Sequence, residues 1–181
     1  MEHNLQNTIA LLTRTPAALD ALLRGLPETW TMHNEGKIAG KDTWTVRDVL
    51  AHLIHCERNN WIVRAKWIID FGESRPFEPF QRDSHRIEPV EVLLDEFAAL
   101  RSAALDDLRS WNLTPEHLAL RGTHPAFGPV TLSQQLATWA AHDLTHLHQI
   151  SRIMAHQYRE SVGPWSKYLG VMHCNGHSAS A

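Results

Sequence analysis

The residues best suited to chemistry in this chain are histidines. His142 and His146 stand four apart in Ala141-His142-Asp143-Leu144-Thr145-His146. On a helix that spacing puts both imidazoles on one face, about one turn apart, where they can bind one divalent ion. The metalloprotease pattern HExxH is absent, because Asp143 stands where its glutamate would be. A third imidazole, His52, falls on the inner stripe of another helical segment, one turn from Val49 and Cys56. Three neutral imidazoles from two facing helices make an open site whose remaining positions take water or substrate. Each part also has a plainer reading. A chain with 13 histidines produces such spacings by chance, and a lone histidine on an apolar stripe is commonly a core residue hydrogen-bonded to a neighbour.

Other side chains are placed to assist. His55, three residues after His52, is positioned to flank the site. Cys56 shares the His52 face, either as a fourth ligand or as a buried inert thiol. Asn59 and Gln149 are candidates to hydrogen-bond the ligands from behind, or to cap polar ends of the core. Arg101 interrupts an apolar stripe, where it would clamp an anionic substrate or snorkel to solvent. Glu35 and Arg82 are loop residues within reach of a substrate, although nothing in the pattern selects them. His173 and His177 share the i,i+4 spacing, but Asn175-Gly176 between them breaks a helix. There is no GxGxxG, phosphate-binding lysine loop or GxSxG, and no carboxylate pair is clearly spaced for acid–base work.

Four segments of helical periodicity must position these groups. The first, Leu5 to Leu26, is interrupted by Pro16, with Thr15 as a candidate cap for a second piece and a kink as the alternative. The second runs from Val46 to Ile69, with Thr45 as N-cap and Asp48 three residues later. The third covers Val90 to Leu108, and the fourth Leu132 to Tyr158 behind Thr131. Nothing alternates convincingly like a strand. The connections over 27–44, 72–89 and 112–130 exceed the two to eight residues usual in a bundle. Long connections at bundle ends carry sites or crossovers. The pattern predicts an all-α four-helix bundle, one domain over 1–170 with a disordered tail over 171–181.

Composition narrows the classes. With 181 residues, 43% of them hydrophobic, the chain can bury a core without a metal or disulfide staple. The formal charge of −3 argues against a nucleic-acid binder. Cys56 and Cys174 form neither a disulfide framework nor a CxxC knuckle. The polar start lacks a signal-peptide apolar region, and no window approaches the ~20 apolar residues of a membrane span. These features predict a soluble cytoplasmic protein that binds neither nucleic acid nor membrane.

Two motifs carry a family resemblance. Trp44-Thr45-Val46-Arg47-Asp48-Val49-Leu50-Ala51-His52-Leu53 resembles the second-helix motif of the DinB family, also called the DinB/YfiT-like metalloenzymes. His142-Asp143-Leu144-Thr145-His146-Leu147-His148-Gln149-Ile150 resembles its fourth-helix motif. The resemblance runs from about Leu5 to Leu169. It implies a four-helix bundle of DinB/YfiT type with a long crossover connection. It implies a divalent metal, zinc or nickel, on His52, His142 and His146, and a homodimer. Characterised relatives imply a thiol-dependent S-transferase acting on a small electrophile. There the metal holds a low-molecular-weight thiol (bacillithiol, mycothiol or glutathione) as its thiolate. A metal-dependent hydrolase is a variant of the same chemistry. A non-catalytic metal- or ligand-binding bundle is the alternative.

Overall fold

A computed structural model describes residues 3–38, 40–81 and 86–173. Helix α1 (Leu5–Leu12) starts at Asn4, whose side chain accepts the Asn7 backbone N–H. Helix α2 (Thr15–Leu23) restarts the segment with Pro16 in its first turn, where a missing N–H costs no helical hydrogen bond. A single turn, α3 (Thr29–Met32), and an antiparallel hairpin, β1 (Lys37–Ile38) with β2 (Lys41–Asp42), lead to α4 (Val46–Asn59). The entry to α4 is a full capping box. Thr45 Oγ1 accepts the Asp48 N–H at 3.1 Å, and Asp48 Oδ2 accepts the Thr45 N–H at 2.9 Å.

The expected continuous helix to Ile69 breaks at Asn60 (φ −121°, ψ −69°) and resumes as α5 (Trp61–Phe71). Directly after the break Trp61 is buried and stacked on Trp139, ring centroids 6.0 Å apart. Helix α6 (Val90–Ser110) follows Pro89. The single turn α7 (Pro115–Leu118) precedes a second hairpin, β3 (Arg121–His124) with β4 (Gly128–Thr131), paired from Arg121↔Thr131 to His124↔Gly128. Helix α8 (Leu132–His156) begins with a Thr131/Gln134 capping box. The two hairpins correct the strand-free expectation. Strands of two and four residues are too short for alternation to register. Of the expected tail, residues 174–181 lie outside the described set, while Gly170–Met172 form a 3₁₀ turn packed on α8.

The bundle connectivity follows from the packing. Helix α1 packs on α8 and α2 on α6, whereas α4 packs on both α6 and α8. The first and second bundle helices are therefore diagonal partners, as are the third and fourth. The chain crosses the bundle twice, which is why those connections are long. Two apolar clusters fill the interior. One holds Leu12, Trp61, Leu105, Leu108, Leu136 and Trp139; the other holds Leu19, Val49, Leu53, Leu93, Phe97 and Ile150. On α6 the buried Arg101 falls between Phe97 of one cluster and Leu105 of the other. On α8 His142, Asp143 and His146 fall between Trp139 and Ile150. A polar layer thus separates two apolar halves.

Because α4 carries His52, its cap has a direct stability consequence. Thr45→Ala should cost about 1 kcal/mol in urea unfolding, and Thr45→Ser should retain most of that.

Candidate metal centre

Three imidazoles meet inside the polar layer. His142 Nε2 lies 3.3 Å from His52 Nε2 and 3.1 Å from His146 Nε2. The ring centroids are 5.3 Å apart for His52–His142, 4.3 Å for His142–His146 and 4.8 Å for His52–His146. Two imidazole nitrogens on one tetrahedral ion, each about 2.0–2.1 Å from it, stand about 3.3 Å apart. The two Nε2 contacts therefore match the edge of a tetrahedral site. They do not make a good hydrogen-bonded trio, because one ring nitrogen has one proton or one lone pair to offer.

The surroundings favour the neutral, ligand-ready forms of His142 and His146. Burial, then the neighbouring His146, His52 and Arg101, push the His142 pKa down to about 2. Burial also lowers that of His146, against the opposing effects of Gln149 and Asp143. Gln149 Oε1 sits 2.8 Å from His146 Nδ1 and accepts its proton, which leaves the Nε2 lone pair pointing at His142. His142 Nδ1 is buried with no hydrogen-bond partner among the described residues. Trp44 walls one side, its ring stacked on His146 at 6.3 Å and tilted against His52 at 5.0 Å. Phe80 meets His52 edge-on.

Behind the histidines lies a buried ion cluster. Arg101 is 1% exposed, and its guanidinium donates to Asp143 Oδ2 (2.6 Å), Asp143 Oδ1 (3.0 Å), Glu57 Oε1 (2.7 Å) and the Leu12 carbonyl (2.9 Å). Trp139 Nε1 also donates to Glu57 Oε1 at 2.9 Å. The guanidinium packs over the rings of Phe97 and Trp139. Both roles expected of Arg101 are corrected: it neither snorkels nor faces a substrate, because its guanidinium is buried against two carboxylates and a carbonyl. Burial raises the Glu57 pKa, and the Arg101 charge opposes that. For Arg101 burial acts downward, yet Asp143 and Glu57 outweigh it and its pKa is raised.

The other expected residues are dispersed. His55 donates to the Gln81 carbonyl at 2.6 Å and packs on Phe80, beside the site and outside the three-ring contact. Asn59 bonds back to His55, not to the three rings. Cys56 is buried, with Sγ 3.5 Å from His52 Nε2. Glu35 is ion-paired with Arg152, one turn beyond Gln149 on α8. Arg82, Cys174 and His177 lie outside the described residues. A cavity of about 310 Å³ opens beside Leu23, Met32 and Arg47, and its lining includes none of the three histidines. Glu57, Trp61 and Trp139 are not among the candidates from sequence, and Trp44 enters there only as part of a motif. A signal existed for the ion cluster: Glu57, Arg101 and Asp143 are charges among the mostly apolar inner positions of three different helices.

Known proteins place this fold. The family model of the DinB superfamily matches residues 11–150. A solved structure, YfiT from Bacillus subtilis, is similar at TM-score 0.68 with 23% identity, covering 87% of each chain. It is described as a probable metal-dependent hydrolase with an unusual four-helix bundle topology. No match emerged among curated proteins.

Two outcomes follow from the site's electrostatics. Arg101→Met strands two buried carboxylates and should destabilise the fold by about 3–5 kcal/mol in chemical denaturation. A loss under about 1 kcal/mol would contradict the buried network. The second outcome concerns acid. His142 has a folded pKa below its ordinary 6.5. Below pH 6.5 the unfolded chain therefore takes up a proton that the folded chain refuses. Metal-free protein should lose stability as pH falls from about 7 to 5, with a shallower slope in His142→Asn.

Proposed function

The chain belongs to the DinB superfamily, and on that premise we propose that it is a divalent-metal-dependent enzyme transferring a low-molecular-weight thiol to a small electrophile. His52, His142 and His146 hold the metal, zinc or nickel. A divalent cation there supplies Lewis acidity and lowers the pKa of a coordinated thiol or water. The protein does the rest. Gln149 fixes the His146 tautomer through the 2.8 Å contact. Trp44 and Phe80 give apolar walls that keep bulk water from the reacting centre. His142 is half-buried where His52 and His146 are buried, and in this proposal substrate approaches from its side. The observation that carries this reading is the meeting of two Nε2 atoms, 3.3 and 3.1 Å away, on His142 Nε2. The chain acts in this proposal as a homodimer on a small molecule.

A second reading, hydrolysis of a small molecule, is favoured by the description of the similar YfiT structure. The same site serves it, with water in place of the thiol.

Elemental analysis of the purified protein tests the centre. About one divalent ion per chain in the wild type, lost in His142→Ala with helicity retained, is expected. A metal-free wild type of full stability, unable to take up zinc or nickel, would sink the proposal. Gln149→Ala should weaken metal affinity about 10–100-fold by releasing the His146 ring. A panel of electrophiles with and without glutathione, bacillithiol or mycothiol separates the two readings. Thiol-dependent product is expected for transfer, and turnover without thiol for hydrolysis.

A further inference from the structure

The three histidines leave one metal-competent group nearby unexplained. Cys56 lies one turn beyond His52 on α4 and is 1% exposed. Its Sγ is 3.5 Å from His52 Nε2. The donor atoms of His52, Cys56 and His142 all lie within 4.8 Å of one another. On a tetrahedral ion with sulfur at about 2.3 Å and nitrogen at about 2.0–2.1 Å, the sulfur–nitrogen edge is about 3.5 Å. The His52–Cys56 spacing matches that edge, as the imidazole contacts match the nitrogen–nitrogen edge. The sulfur sits closer to Nε2, the nitrogen that faces His142, than to Nδ1, which is 4.0 Å away. His52 and Cys56 on α4 thus meet His142 across the packed helices α4 and α8, with His146 one turn beyond His142 on α8. Half-buried Arg64 on α5 adds a positive charge near the sulfur.

We propose that Cys56 is a fourth protein donor to this centre, making it a three-histidine, one-thiolate site. The inference rests on the metal reading above and adds a ligand to it. A thiolate donor biases the site toward zinc, nickel and cobalt over magnesium and manganese. Four protein donors would fill a tetrahedral shell, so a thiol or water bound there would have to be a fifth ligand.

The test uses full-length protein carrying Cys174→Ser, so that Cys56 is the remaining thiol, titrated with Co²⁺ in the metal-free state. A sulfur-to-cobalt charge-transfer band in the near ultraviolet is expected, and it should vanish in Cys56→Ser while the visible d–d bands remain. Metal should also slow alkylation of Cys56 by a thiol reagent. Visible d–d bands without the charge-transfer band would overturn the Cys56 assignment and leave the histidine centre standing. Failure to bind Co²⁺ at all would overturn both. Thermal melts of Cys56→Ser and Cys56→Ala report whether the variants fold. If neither folds, the presence or absence of the band in the Cys56-containing protein decides.

Discussion

An arginine buried in a protein interior must be met by acids and carbonyls, and here that demand organises the bundle. The Arg101 guanidinium on α6 reaches Glu57 on α4, Asp143 on α8 and the Leu12 carbonyl at the end of α1. One side chain therefore ties all four bundle helices at one level. Hydrophobic contact alone tolerates sliding, because apolar side chains of similar size substitute for one another. A charge cluster does not, since a shift of one turn would leave a buried charge unpaired at a cost of several kcal/mol. The register of α8 against α4 is thus set by polar chemistry, with the apolar clusters packed above and below it.

The histidines inherit that register. Asp143 lies between His142 and His146 on α8, and Glu57 lies five residues after His52 on α4. Once Arg101 pins Asp143 and Glu57 together, His52 on α4 comes to 3.3 Å of His142 on α8, which already meets His146 one turn along its own helix at 3.1 Å. The two diagonal crossings of the chain put α4 and α8 side by side although they are far apart in sequence. Trp44, just before the α4 cap, then closes over the rings.

Much of this was legible in the sequence, and the gaps have physical reasons. The caps at Thr45 and Thr131, the restart at Pro16, and the positions of His52, His142 and His146 on facing stripes all follow from local chemistry that a single segment carries. The break at Asn60 did not show, because the apolar periodicity runs through it and a tertiary demand, the burial of Trp61 against Trp139, decides the geometry. The hairpins did not show, because two to four residues carry no readable alternation. Arg101 was misread because its partners lie 44 and 42 residues away in sequence. No single helix reveals that an arginine on one stripe answers acids on two others. Asn59 was misplaced for a related reason: at the end of α4 its side chain bonds back to His55 one turn earlier.

The central claim is that the Arg101 cluster holds three imidazoles around one metal position. The most direct measurement is anomalous difference density, collected at the absorption edge of the bound metal, from crystals of the metal-loaded protein. The account predicts one strong peak about 2.0–2.2 Å from Nε2 of His52, His142 and His146. A peak ligated elsewhere, or a well-ordered bundle with no peak at this position after saturation with zinc or nickel, would contradict it.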